Sequence, residues 1–359
     1  MSYDTIAQRF AERAFTAEDE SEFLGFNSDR SRVHVHYWPG NYGARTPGGP
    51  SWAIYSYGFH FPIAIPISNK HGEFWLFNGA RYSPSTTNHQ GIVRSALQYG
   101  DPKQRPILTI PFPALEAAGL SHRGYSTIRP LDITDDQTVV VPHQTTEYGK
   151  APLHAEHGDD GVYRWNTHEH YLGGAVFEAT TRPLGAKRNK TVRYVSGFDN
   201  AEPARTRPYF LATLPDRKAS TVDEALEALK PPVVVDAETE GRRVVRQGDI
   251  FAVPVDLDTR TLKRMEKATY TKSKWDSSDY LHRGVAFLLG TNHAATEVVE
   301  VPGEGTFARG TLRHAPNHRN PDHVRQTLGK AWHRILRNTV PLDRNTGEIR
   351  AWSFVGGGD

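Results

Sequence analysis

The chain has 359 residues, with 43 Lys and Arg against 41 Asp and Glu for a formal net charge of +2, 37% hydrophobic and 11% aromatic residues, 24 Pro and 31 Gly. That length suits two domains of ordinary size, the composition excludes a mainly disordered chain, and the balanced charge gives no bulk attraction to DNA or an anionic membrane. Seventeen His and no Cys remove disulfides, thiolate zinc sites and thiol nucleophiles, leaving imidazole, carboxylate and hydroxyl groups for any chemistry.

The start, Met1-Ser2-Tyr3-Asp4, runs into a charged helical pattern with no apolar segment behind it, so no secretory signal is expected. No run approaches the roughly 18 apolar residues of a membrane span, and the lack of Cys fits a reducing cytosol, so a cytoplasmic location is expected. Residues 3–15 read as a helix with Ile6, Phe10 and Phe15 on one face. Strands are expected over Arg32–Trp38, Trp52–Tyr57, Phe59–Ile67 and Glu73–Phe77, joined by Gly58 and by Asn69-Lys70-His71-Gly72. Ser83-Pro84-Ser85-Thr86-Thr87-Asn88 then opens a helix whose stripe is Ile92, Val93, Ala96 and Leu97. Past that helix, Pro102, Pro106, Pro111, Pro113, Pro130, Pro142 and Pro152 interrupt every candidate element.

From Val162 strands resume over 171–182, 191–197 and 208–214. Thr221-Val222-Asp223-Glu224 is a capping box ahead of a helix that Pro231-Pro232 should stop. Gly248-Asp249 reads as a tight bend between strands Arg242–Arg246 and Ile250–Val255, and the charged stretch Asp256–Tyr280 as a helix or loop insertion. Further strands are expected over Gly284–Gly290, Ala294–Val301 and Thr306–Leu312. The expected fold is α+β, mainly antiparallel β, in two strand-rich units with a few short helices. An N-terminal α+β unit covers 1–100, a Pro-rich irregular connection 101–160, and a strand-rich unit 161–359.

Four groups of residues can carry chemistry. His293 and Glu297 stand four apart on one expected strand and His314 ends the next, ahead of His318, His323 and His333. If these strands pair about the Pro302–Gly305 turn, His293 and His314 meet on facing rungs, and two imidazoles with a carboxylate suit zinc, manganese or iron. The same residues also fit the polar rim of a sheet. His168-Glu169-His170, His34-Val35-His36 and His154-Ala155-Glu156-His157 offer closely spaced imidazoles. The first, followed by Glu178, is near a first cupin motif, and Gln247-Gly248-Asp249-Ile250-Phe251-Ala252-Val253-Pro254 looks like the start of a second. Its later histidine is missing, with Asp256-Leu257-Asp258 in its place.

Arg81, Thr86 and Thr87 at a helix start suit an anion, although ordinary N-capping explains the same residues. In Lys330-Ala331-Trp332-His333-Arg334-Ile335-Leu336-Arg337, Trp332 and His333 can stack bases while Arg334 and Arg337 hold phosphates, or the segment is a half-buried element with cations outward. No P-loop, G-x-G-x-x-G opening a helix, H-E-x-x-H or G-x-S-x-G is present.

The strings Ser56-Tyr57-Gly58-Phe59-His60-Phe61-Pro62-Ile63-Ala64, Tyr82-Ser83-Pro84-Ser85-Thr86-Thr87-Asn88-His89-Gln90 and Gly310-Thr311-Leu312-Arg313-His314 resemble uncharacterised proteins of bacterial phages and plasmids. The resemblance covers short motifs and implies a mobile-element setting, with no activity or catalytic residue to carry over. Two functions are therefore expected. One is an accessory protein of a mobile genetic element that binds nucleic acid or a partner protein, with no membrane role. The alternative is a metal-dependent enzyme, a hydrolase or cupin-like oxygenase, with a divalent transition metal as cofactor.

Overall fold

A computed structural model describes residues 2–18, 21–24, 33–37, 52–58, 61–80, 83–120, 122–134, 137–171, 173–181, 188–198, 209–273, 286–314 and 323–338. The fold is α+β, and its sheets are mostly antiparallel. Among the described residues no helix is long and apolar enough to cross a membrane.

The N-terminal helix α1 (Tyr3–Arg13) is capped by the Ser2 side chain, and a short α2 (Ser21–Leu24) comes after it. Strands β1 (Val33–Tyr37), β2 (Trp52–Ser56), β3 (Pro62–Asn69) and β4 (Gly72–Asn78) form an antiparallel meander. Helix α3 (Pro84–Gly100) then carries the chain across to β5 (Ile107–Ile110), which pairs parallel with β4. The expected stripe docks α3, with Val93, Ala96 and Leu97 joining Ile6 and Phe10 of α1 over Trp52 and Trp75. His89 adds a polar pin, its Nδ1 2.8 Å from Ser56 Oγ.

The opposite face of this sheet is apolar too, because Ala53, Tyr55, Ile65 and Leu76 alternate with the residues of the first face. It is covered by a second sheet. After α4 (Phe112–Ala117) come β6 (Arg129–Ile133), β7 (Gln137–Thr145), β8 (Glu156–His157), β9 (Tyr163–Tyr171), β10 (Ala175–Thr181), β11 (Lys190–Phe198) and β12 (Tyr209–Thr213). The order β12-β11-β10-β6 makes the second sheet, and β7-β9-β8 a separate three-stranded one. Phe177, Tyr194 and Leu211 share a core with the first sheet, so strands after residue 161 are packed onto the 1–100 unit.

The stretch 101–160 is therefore not the irregular connection its prolines suggest. Pro111 and Pro113 stand at the start of α4, where a missing N–H costs nothing. Pro130 and Pro142 lie on β6 and β7, both edge strands, where the ladder tolerates them.

Helix α5 (Val222–Ala228) starts on the expected capping box, with Thr221 Oγ1 accepting from Glu224 N and Glu224 Oε2 from Thr221 N. Pro231-Pro232 ends α5 but also begins α6 (Pro232–Thr239), since proline is pre-set for the first helical position. The last sheet runs β13 (Val245–Gln247), β14 (Ile250–Val255), β19 (Gln326–Arg337), β18 (Gly305–His314), β17 (His293–Val301) and β15 (Thr269–Lys272), with β16 (Ala286–Phe287) also on β17. Helix α7 (Thr259–Arg264) lies between β14 and β15 in the chain. One face of this sheet buries Ile250, Ala295, Val298, Ala308, Leu312 and Ile335, and the other Val299, Val301, Phe307 and Trp332 with Leu262 of α7.

Candidate metal centre

Strands β17 and β18 pair directly about their Pro302–Gly305 turn, with Val301 opposite Gly305 and His293 opposite His314. The two rings lie 4.5 Å apart between centroids. A third imidazole joins them. His323 precedes β19 and places its ring 4.6 Å from His314 and 5.8 Å from His293. One ring nitrogen from each of the three lies within 4.8 Å of the others. Zinc at 2.0–2.1 Å from each nitrogen in a tetrahedral site needs them about 3.4 Å apart, so the rings must close on the ion. His293 and His323 are only 2% and 1% exposed, and His314 is half-buried.

The β13–β14 turn forms the floor. Gln247 pairs with Ile250, leaving Gly248 and Asp249 as a two-residue bend, and Gly248 adopts φ +56°. A side chain there would meet His323, because a Cβ would stand 2.6 Å from its Nε2. Gln247 Nε2 donates to Val324 O at 2.5 Å and so fixes the backbone that carries His323. Asp249 bridges two elements, accepting from Arg337 Nε at 2.6 Å and lying 3.6 Å from His293 Nδ1. Thr291, in the turn ahead of β17, places its Oγ1 3.1 Å from the same nitrogen.

Glu297 is not part of this group. Residues four apart on a strand share a face only while the ladder is regular. Here the register shifts between Ala295 and Glu297, with Gly310 opposite at φ +88°. Ala295 and Val298 consequently line one core, while Val299 and Val301 line the other. Glu297 goes with the second set and accepts from Arg309 Nη2 at 2.7 Å and from Tyr270 OH at 2.8 Å. Burial raises its carboxyl pKa, but the hydrogen bonds from Arg309 and Tyr270 outweigh it and hold the group below the ordinary glutamate range.

A depressed carboxylate pKa stabilises the fold above the unfolded value, and that stability is lost as pH falls through the folded one. Glu297→Gln is therefore expected to cost about 1–3 kcal/mol at neutral pH. The cost should shrink as the medium becomes more acidic than the ordinary glutamate range, with zinc affinity at neutral pH equal to that of the native chain. Chemical unfolding at neutral and acid pH, paired with a zinc titration, checks this.

The aromatic and cationic segment at the C-terminal end is strand β19, and its aromatics face inward. Trp332 is 2% exposed, packs with Val299 and Phe307, and donates its Nε1–H to Thr259 Oγ1 at 3.1 Å. Arg309 lies over its ring at 4.8 Å. His333 is buried as well, and that burial holds its pKa below the ordinary histidine value. Arg337 is held by Asp249, and Arg334 is half-buried beside Gly305. Trp332 and His333 thus offer no stacking platform for bases. Adjacent residues on a strand point to opposite faces, and both faces of this central strand are covered here, so both side chains are buried, while the neighbouring cations hide that in the sequence.

At the expected anion site, Ser83 caps the helix. Ser83 Oγ accepts from Thr86 N at 3.3 Å and Ser83 O from Thr87 N at 3.0 Å, so both N–H groups are already engaged. Arg81 lies outside the described residues, as does His318. His34 and His36 sit half-buried on β1, where His34 stacks on Tyr55, and His154, Glu156 and His157 are exposed on and beside β8. His168, Glu169 and His170 lie on β9, in a different sheet from Gly248 and Asp249, so the two cupin-like strings do not converge on one sheet.

Two residues of the centre stand outside the expected ligand set: His323, which the sequence offers only as one of the histidines after His314, and Asp249, which it offers only as a turn residue. The signal for His323 was the β18–β19 register, in which Leu312 faces Gln326 and a continuation sets His314 beside the residues just after His323. No protein-family model, curated protein or solved structure matches the chain.

Proposed function

We propose that this chain is a metal-dependent enzyme of the hydrolytic type, holding one divalent transition metal on His293, His314 and His323. The observation that carries the reading is the convergence of three imidazoles, from three separate segments, with ligand nitrogens within 4.8 Å of one another. Imidazole suits zinc, copper, iron and nickel, whereas manganese favours oxygen donors. With Glu297 turned to the other face the donor set is all nitrogen, and zinc fits it best. Three neutral ligands leave the ion its full charge and a fourth position, the arrangement that lowers the pKa of a bound water to about 7.

The test compares zinc-loaded and chelator-stripped protein on p-nitrophenyl acetate and bis(p-nitrophenyl) phosphate. Hydrolysis that needs zinc and rises through about pH 7, as the bound water ionises, is expected for at least one. Equal rates with and without zinc on both substrates would overturn the enzymatic reading.

A further inference from the structure

We infer that Thr291 and Asp249 hold His293 as the Nδ1–H tautomer, so that it presents Nε2 to the metal, with Arg337 fixing the Asp249 carboxylate. The tautomer is set by the hydrogen bonds of the protein alone, and only its use rests on the metal reading above.

The proton count decides the tautomer. A threonine hydroxyl has one proton to donate and two lone pairs to accept with. Thr291 Oγ1 lies 2.8 Å from the carbonyl oxygen of Leu288, which can only accept, so the hydroxyl proton belongs there. The same oxygen accepts from the His293 backbone N–H at 3.1 Å and has His293 Nδ1 at 3.1 Å. With its proton committed, it can meet Nδ1 only as an acceptor, and Nδ1 must carry hydrogen. Asp249 adds an independent reason. Its Oδ1 lies 3.6 Å from Nδ1, where a carboxylate attracts an N–H and repels a ring lone pair.

Asp249 is itself held at two points, its carboxylate and its backbone carbonyl. Arg337 Nε donates to Oδ2 at 2.6 Å, and the backbone N–H of Asn338 donates to the Asp249 carbonyl at 3.0 Å. The end of β19 thus clamps the β13–β14 turn, and the turn in turn orients a ring on β17. In the Nδ1–H form the lone pair sits on Nε2. A ligating histidine whose other nitrogen donates to an oxygen acceptor is a better oriented and more basic ligand, and losing such a partner typically weakens binding 10–100-fold. Thr291 and Asp249 are positioning residues in this sense.

The experiment records two-bond ¹H–¹⁵N correlations of the full chain, labelled with ¹⁵N-histidine and free of metal, at neutral pH. His293 is expected to show the Nδ1–H pattern with an unprotonated Nε2. An Nε2–H pattern or a doubly protonated ring in the native chain would overturn the inference. Zinc titrations of Asp249→Asn and Thr291→Val complete it, each expected to bind about 10–100-fold more weakly than the native chain. Thr291→Val leaves Leu288 O the Thr291 backbone N–H at 2.9 Å as a donor, but takes the Oγ1 acceptor from the His293 backbone N–H as well as from Nδ1. Native affinity in both variants would overturn the positioning role. An Nδ1–H ring in a chain that takes up no zinc would leave the tautomer standing and remove the metal reading instead.

Discussion

Replacing His323 by alanine is expected to weaken zinc binding by more than about 100-fold, beyond the range of changes outside the ligand shell. Two imidazoles on adjacent strands remain, but the ion loses the ligand that closes the group from the β19 side. Competition against a chromophoric chelator measures the loss directly. The same change should also remove the stabilisation that zinc gives the fold. A ligand that binds only the folded state adds about 2.7 kcal/mol at one hundred times its dissociation constant. The thermal midpoint of the native chain should therefore climb with added zinc, and that of His323→Ala should stay level. Without metal the two midpoints should differ only by the cost of the cavity that alanine leaves above Gly248, where the ring now packs. A variant that binds zinc as tightly as the native chain would remove His323 from the site.

Trp332→Ala is expected to destabilise the chain by about 3–5 kcal/mol, the usual range for removing a fully buried tryptophan. The indole is closed in by Leu262, Val299, Val301 and Phe307, and it ties α7 to the sheet through its bond to Thr259. Truncation would leave a cavity in that core and take from Arg309 the ring on which its guanidinium rests. Denaturant unfolding measures the cost. A variant of native stability would mean that the indole is not in the core, and would return it to the surface role that its flanking cations suggest.

The hairpin that brings His293 and His314 together was legible because one turn, Pro302–Gly305, joins two long strands, and counting outward from it sets the register. Glu297 was misread for a physical reason. Its face can be read from alternation only in a regular ladder, and the shift beside Gly310 depends on a left-handed backbone that shows in the sequence merely as one more glycine. His323 was beyond reach because its place depends on a second pairing, with a strand that begins three residues later. Asp249 was visible as a turn residue, but nothing local says that the turn lies under the imidazoles. Periodicity and cap chemistry were enough for the α+β class, the capped helices and most strands. They were not enough for residues 101–160, since prolines at edge strands and helix starts look the same in sequence as prolines that break structure.

The central claim is that His293, His314 and His323 hold one metal ion. Elemental analysis of the full chain, produced without a histidine tag and dialysed with zinc, tests it most directly. About one zinc per chain is predicted for the native protein, falling to background in His314→Ala. A metal content near zero in the native chain, with none taken up from added zinc, would contradict the account.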